Sequence, residues 1–282
     1  MTAERHRIVL PESQSAADLI EHAVRAKLAS TRAHHPLVVG VCGSQGSGKS
    51  TVCKTLTTRL TDAGLKVANL SLDDLYLPLA ERVTLARNVH PLLRTRGVPG
   101  THDTKLGVHT LNALGHSGQV PLPRFDKSVD DRRPKAQWDS AEGPAQVVFF
   151  EGWCVGARPQ TLGPLDQPVN ELEANEDVDG RWRRYVNDAL GGEYQSLFAK
   201  IDFLVLLAAP SFDVVLKWRT QQEHELRNQS GDRSGVMTDA ELVRFIQHYE
   251  RLTRHILIEM PGRADLVIRL SPERTVLGRQ SN

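Results

Sequence analysis

The sequence predicts an α/β fold, a doubly wound, mostly parallel sheet of about five strands with helices on both faces. Three observations predict it. Short apolar runs near residues 37, 66, 146, 202 and 265 alternate with stretches of helical periodicity, the pattern of parallel strands joined by crossover helices. The run Ile201-Asp202-Phe203-Leu204-Val205-Leu206-Leu207-Ala208 is almost continuously apolar, as a strand buried on both faces requires. Finally, Gly43-Ser44-Gln45-Gly46-Ser47-Gly48-Lys49-Ser50 fits G-x-x-x-x-G-K-[ST] and lies between a strand-like run and a helix-like one, the context a phosphate-binding P-loop needs.

Composition narrows the rest. A net charge of +1 over 282 residues points to no dominant polyanion partner such as nucleic acid. No apolar run approaches the roughly 20 residues that span a bilayer, and Met1-Thr2-Ala3-Glu4-Arg5-His6-Arg7 precedes no signal-peptide core. Cys42, Cys53 and Cys154 lack metal-ligand spacing and read as small buried residues. These features predict a cytoplasmic protein in a reducing compartment, either monomer or homodimer. No repeat or linker divides the chain, so residues 1–282 are read as a single P-loop domain.

Taken in order, residues 15–32 carry apolar positions at Ala17, Leu19, Ile20, Ala23, Val24 and Leu28 and read as an amphipathic helix within an N-terminal extension of residues 1–35. Residues 36–42 are the first strand, and residues 50–60 a helix whose apolar face is Val52, Cys53, Leu56 and Leu60. Between them the glycines let successive N–H groups curl inward toward phosphate oxygens, and the helix adds its N-terminal partial charge. The whole stretch, Gly43, Ser44, Gln45, Gly46, Ser47, Gly48, Lys49, Ser50 and Thr51, is therefore read as nucleotide-binding. Lys49 would neutralise the β- and γ-phosphates, and the Ser50 hydroxyl would ligate Mg²⁺.

Residues 66–72 alternate like a second strand and end at Asp73-Asp74-Leu75-Tyr76-Leu77. Carboxylates just past the carboxyl end of such a strand are placed for chemistry. One could take a proton from an acceptor hydroxyl or hold Mg²⁺ through water; the alternative is that they cap a helix. Residues 78–145 form an excursion. In it Arg94, Arg96, His102 and Asp103 could face an anionic or hydroxylated ligand, and a helix is predicted from Asp103 to Leu114. Pro121 and Pro123 deny residues 119–128 a central strand position, so an edge strand or extended arm is expected. Arg124, Asp126 and Lys127 place three charges within four residues there, whereas Asp130-Asp131-Arg132-Arg133-Pro134-Lys135 reads as a solvent-exposed loop.

Residues 145–153 are an apolar strand ending in Glu151 and Gly152, the Walker B arrangement that holds a Mg²⁺ water shell. Residues 157–180 read as an insertion, followed by helix over 181–190 and 194–199 and the strand near 202. A long helix over 212–228 ends in polar residues beside a Gly/Ser/Asp-rich loop. Residues 212–237 are accordingly read as a lid, with Arg219 the leading candidate to reach phosphate and Arg227 another. Thr238 and Glu241 form a capping box for a helix over 239–258. Residues 264–270 are the last strand, and the tail from Gly278 to Asn282 is expected to fray.

With these segments in hand, the chain resembles the D-glycerate 3-kinase family, in the wider phosphoribulokinase, uridine kinase and pantothenate kinase group of P-loop kinases. The segments carrying the resemblance are the P-loop through Thr51, Ser71-Leu72-Asp73-Asp74-Leu75-Tyr76-Leu77, Arg96-Gly97-Val98-Pro99-Gly100-Thr101-His102-Asp103, Pro123-Arg124-Phe125-Asp126-Lys127-Ser128 and Phe150-Glu151-Gly152-Trp153. Trp218-Arg219-Thr220-Gln221-Gln222-Glu223 and Met237-Thr238-Asp239 look similar too. Departures gather around the acceptor pocket, at Leu75, Val98-Pro99, Phe125 and Asp130-Asp131-Arg132-Arg133. The resemblance implies an ATP- and Mg²⁺-dependent kinase of a small-molecule hydroxyl acceptor, D-glycerate first. It makes Asp73 the general base, Glu151 the Walker B acid and Arg219 a lid arginine. Asp103, Arg124 and Asp126 would contact the acceptor, and Asp74, Tyr76 and Lys127, in the same matched segments, are read as substrate-binding with them. Another small polyol, a sugar acid or a nucleoside is the alternative acceptor. A regulatory ATP-binding protein of weak catalysis is the alternative class.

Overall fold

The computed structural model describes residues 14–30, 35–229 and 238–281. Helix α1 (Ala16–Ser30) buries Ala17, Leu19, Ile20 and Val24, the stripe its spacing predicts. Strand β1 (Leu37–Gly43) is buried at every position. Helix α2 (Lys49–Asp62) starts after Gly48, whose left-handed φ of 85° turns the chain from loop to helix. Strand β2 (Val67–Ser71) runs into a 3₁₀ turn, Leu72–Leu75. The excursion follows, with α3 (Leu79–Asn88) and α4 (Thr104–Ala113). Then come four short strands, β3 (Gly118–Leu122), β4 (Phe125–Asp126), β5 (Asp131–Arg132) and β6 (Asp139–Gly143). β3 pairs antiparallel with β6 and β4 with β5, so the proline-containing arm is a ribbon outside the main sheet, as its prolines require.

The chain re-enters the sheet at β7 (Val147–Gly152), buried throughout. An insertion with α5 (Glu171–Glu176), α6 (Arg181–Gly191) and α7 (Glu193–Phe198) leads to β8 (Phe203–Ala208). Two long helices, α8 (Phe212–Gln229) and α9 (Asp239–Glu259), precede β9 (Leu266–Leu270) and β10 (Val276–Ser281). The capping box of Thr238 and Glu241 opens α9.

The sheet order is β10-β9-β8-β1-β7-β2. The five predicted strands are all present and all parallel. β10 is an added edge, antiparallel to β9, where the sequence was expected to fray. An edge strand needs only one partner and can stay polar, which is why Arg279, Gln280 and Ser281 give no strand signal. Alternate residues of β1 enter different cores. Val38 and Cys42 pack with α4, α7 and α9 residues, whereas Leu37, Val39 and Val41 pack with α1, α2 and α8. This two-sided burial is the doubly wound architecture. Among the described residues no helix is long and apolar enough to cross a membrane.

The insertion is tied down by buried charge. Glu173 of α5 is fully buried and accepts two hydrogen bonds from Arg251 of α9, at 2.8 and 2.6 Å. Arg251 also donates to the carbonyls of Pro164 and Gln167. Removing one partner of such a pair leaves an uncompensated charge. Glu173→Ala is therefore expected to lower the unfolding free energy by about 3–5 kcal/mol. The double change Glu173→Leu/Arg251→Met should cost less than Glu173→Ala alone, both read from urea denaturation.

Candidate active site

A cavity of about 310 Å³ opens beyond the carboxyl ends of β1, β7 and β2, where ligands of such sheets bind. A larger one, about 590 Å³, lies at the other end of the strands against Lys27, Pro36, Pro144 and Asp202 and contains none of the motif residues. Chemistry, not size, marks the first as the candidate site.

Its floor is the P-loop. Gln45, Gly46, Gly48, Lys49, Ser50 and Thr51 line it. Gly46 has φ 76°, and a Cβ there would meet the Trp218 Cβ at 2.6 Å, so only glycine lets the loop and α8 approach this closely. Ser44 and Ser47 are buried, and their hydroxyls have no hydrogen-bond partner. Buried hydroxyls are normally satisfied, and as donors these suit phosphate oxygens. Gln45 Oε1 is likewise unpartnered, but as an acceptor it suits a ligand N–H or hydroxyl.

Glu151 stands at the end of β7, buried, with Oε1 accepting from Ser50 Oγ at 2.9 Å and Oε2 without a partner. A hydroxyl and a spare carboxyl oxygen fit a hard cation. Among the described residues no group of three or more His, Cys, Asp or Glu side chains could hold a metal by itself. A Mg²⁺ ion held here would complete its shell with phosphate oxygens and water, as it usually does.

Asp73 projects from the 3₁₀ turn after β2, and its own N–H donates to Ser71 Oγ at 3.3 Å. Tyr76 OH donates to Asp73 Oδ1 at 2.7 Å, and Lys127 Nζ donates to Oδ2 at 2.6 Å. Burial by itself would raise the Asp73 pKa, but Lys127, Lys49 and the two hydrogen bonds overcome it and hold the carboxyl well below the usual range. Tyr76 stacks on His102, whose burial pushes its imidazole down to about 3.

The six residues expected to bind an acceptor therefore divide. Tyr76 and Lys127 line the cavity; Asp74, Asp103, Arg124 and Asp126 do not. Asp74 accepts from Phe125 N at 3.0 Å and Arg124 Nη1 at 3.1 Å, and Arg124 reaches on to Asp139. Asp103 caps α4 through Leu106 N and pairs with Arg132 at 3.2 Å. Asp126 is engaged by Ser128 and Arg133. These four build and anchor the arm that carries Lys127.

Of the run Asp130–Lys135 expected as a solvent-exposed loop, Arg133, Pro134 and Lys135 are exposed, but Asp130, Asp131 and Arg132 are half-buried and pair with other segments. Asp130 adopts φ 55° and pairs with the fully buried Arg82 and with Arg96. Arg132 donates to the Tyr76 carbonyl at 2.9 Å. Its partners lie far away in sequence, so no local signal marks them. Arg96 lines the cavity with its guanidinium 5.6 Å from the Phe125 ring centre. Trp153, Phe245 and Tyr249 complete the wall. Tyr249 OH donates to the Arg96 carbonyl at 3.1 Å, and a Cβ on Gly97 would sit 2.0 Å from that hydroxyl. In sequence Trp153 belongs to a matched segment, whereas Phe245 and Tyr249 lie unmarked within the predicted helix over 239–258. Arg219 and Gln222 of α8 line the opposite wall. The Arg227 side chain and residues 230–237 of the expected lid lie outside the described residues.

Comparison with known proteins identifies the family. The model of the phosphoribulokinase/uridine kinase family matches residues 38–158. A Schizosaccharomyces pombe protein called an uncharacterized kinase, mug58, is 39% identical over 229 residues, covering 76% of this chain and 78% of that one. The chain belongs to the phosphoribulokinase/uridine kinase family. It is a kinase, a phosphotransferase with an alcohol group as acceptor, and membership implies ATP as the donor. The chloroplastic D-glycerate 3-kinase of Arabidopsis thaliana is 32% identical over 225 residues, 76% of this chain and 46% of that longer protein. The structure of D-glycerate 3-kinase from Cryptococcus neoformans superposes with a TM-score of 0.78 at 27% identity, covering 96% of this chain and 100% of that one.

The Asp73 geometry generates a direct test. Its folded pKa lies below the ordinary 3.8, so its contribution to stability is complete above that pH and fades as pH falls. Replacing Lys127 by Met removes the largest interaction opposing burial. The Asp73 pKa is then expected to rise, read by ¹³C carboxyl titration; an unchanged value would show that Lys127 does not set it.

Proposed function

We propose that this kinase phosphorylates a hydroxyl of D-glycerate, using ATP and Mg²⁺. One observation carries the reading: Asp73 faces the same cavity as two cations, Arg96 and Lys127, beside the phosphate loop. A hydroxy acid would place its hydroxyl at Asp73 and its carboxylate on Arg96 and Lys127, and Arg binds carboxylates bidentately. Size supports a small acceptor, because about 310 Å³ must take phosphate groups as well, leaving little room for a nucleoside. The D-glycerate 3-kinases among the relatives support it too.

In this reading Lys49 and the P-loop N–H groups hold the β- and γ-phosphates. Ser50 and Glu151 would hold Mg²⁺, which supplies charge neutralisation on the transferring phosphoryl group. Each Asp73 oxygen accepts one hydrogen bond and keeps a second lone pair, so an arriving hydroxyl can donate to the carboxylate without displacing Tyr76 or Lys127. Lys127, whose side chain is 58% exposed, can at the same time reach the acceptor carboxylate. An aspartate held at low pKa is a weak base. Its main service is to orient the hydroxyl in line, and it takes the proton late, which suits the loose transition state of phosphoryl transfer. Arg219, and with it Arg227, would cover the γ-phosphate and exclude water. The remaining assignments of the chain, a 1–35 extension, a 78–145 acceptor excursion, a 212–237 lid and a cytoplasmic setting, belong to the same proposal.

ADP release with Mg-ATP, measured across D-glycerate, glycerol, sugar acids and nucleosides, tests it. D-glycerate should stimulate most. Asp73→Asn should lower kcat by about 10²–10⁴, and Arg96→Gln or Lys127→Met should raise the KM for D-glycerate by about tenfold or more. Stronger stimulation by a neutral polyol or a nucleoside would sink the glycerate assignment.

A further inference from the structure

The hairpin between β9 and β10 reaches the nucleotide loop. Its turn is closed by Ser271, whose N–H donates to the Thr275 carbonyl at 2.8 Å and whose hydroxyl oxygen accepts from Glu273 N, Thr275 N and Thr275 Oγ1. At the turn's end Arg274 adopts φ 66°, a left-handed conformation that non-glycine residues rarely hold. Such outliers persist where the surroundings fix them, and here the side chain has defined contacts. Arg274 Nε donates to the carbonyl of Gly46, inside the P-loop, at 2.7 Å. Nη2 reaches the carbonyl of Trp218, in α8, at 3.4 Å. The guanidinium also lies over the Trp218 indole, 5.5 Å from its centre. In return, Trp218 Nε1 donates to the Pro272 carbonyl at 2.6 Å. One side chain thus ties together loop, lid helix and hairpin.

We infer that Arg274 is a positioning residue for the kinase reaction, holding the Gly46–Ser47 peptide of the P-loop and the Arg219-bearing helix in one arrangement.

The reason lies in the backbone. Gly46 has φ 76° and no side chain to hold it, so the peptide that follows it can rotate more freely than most. In a trans peptide the C=O and the next N–H point in opposite directions. A charged donor fixed on the Gly46 oxygen therefore directs the Ser47 N–H the opposite way within the peptide plane, where it closes a turn on the Ser44 carbonyl at 3.2 Å. Flipping that peptide would set the Gly46 carbonyl against the Ser44 carbonyl, breaking the loop's turn as well as the charge-assisted bond. Arg219 follows Trp218 directly and lines the cavity, so the same guanidinium that holds the Trp218 carbonyl sets where Arg219 starts. Arg274 does not line the cavity itself. This role needs nucleotide in the P-loop but is independent of which acceptor is used.

The test is calorimetric titration of the full chain with Mg²⁺ and a non-hydrolysable ATP analogue, alongside steady-state kinetics and thermal unfolding without nucleotide. Arg274→Ala should weaken analogue binding by about tenfold or more, the loss expected for one charge-assisted hydrogen bond, and should lower kcat. The KM for the acceptor should stay within about twofold. Arg274→Lys can reach one carbonyl but not both together and should fall between the two. Analogue affinity within twofold of the parent in Arg274→Ala, whatever its unfolding temperature, would overturn the role and leave the hairpin as scaffold. Should Arg274→Ala not fold, Arg274→Lys decides: parental analogue affinity and kcat in it overturn the inference, and intermediate values support it.

Discussion

Three neighbouring strands end at one height, and the site depends on that register. Val41 of β1 is level with Glu151 of β7, and Glu151 is level with Ser71 of β2. The P-loop begins two residues after the first, and Asp73 stands two residues after the last. Parallel strands make this possible, because only then do successive carboxyl ends share an edge. A slip of one residue in β7 would turn Glu151 to the opposite face and break its 2.9 Å bond with Ser50. The sheet thus brings the P-loop, Glu151 and Asp73 together from one alignment.

The second constraint is charge. Around the cavity stand Lys49, Arg96, Lys127 and Arg219 against Asp73 and Glu151, four cations against two carboxyl groups. The whole chain is near neutral, at +1. Positive potential is therefore concentrated where phosphates would bind and is not a property of the surface at large. The same concentration explains why burial does not win at Asp73. Lys127 and Lys49 outweigh the desolvation that would otherwise raise its pKa, whereas Asp74, with burial dominant, shifts upward.

The parts of this arrangement that are local in sequence were legible there. The P-loop, the paired aspartates after β2, Glu151 after β7 and the Thr238 capping box are each set by a strand end or a helix start within a few residues. What was not legible depends on distant partners. The charge of Asp130-Asp131-Arg132-Arg133 looked solvated because nothing nearby reveals Arg82, Arg96 and Asp103 as partners. Phe245 and Tyr249 lie four apart on α9, a spacing that cannot tell a core face from a cavity wall. β10 was lost for the converse reason, since an edge strand asks little of its sequence. Asp74, Asp103, Arg124 and Asp126 were found as charged positions in matching segments, but only coordinates separate a residue facing the cavity from one bracing the residue that does.

That separation has its own physical logic. Lys127 follows a strand of two residues, too short to fix a side chain by sheet pairing alone. Its position is set instead by Asp74, which takes the Phe125 N–H and the Arg124 guanidinium together, and by Asp103, which holds Arg132 of the partner strand. Tyr76 is held at the same time, since Arg132 also donates to its carbonyl. Ion pairs of this kind contribute little when isolated and exposed. Here they are partly buried, share partners and close a short ribbon against the turn that carries Asp73. The sheet aligns the P-loop, Glu151 and Asp73; the charged ribbon fixes the cation and the tyrosine on Asp73, and so the shape and charge of the cavity beside them.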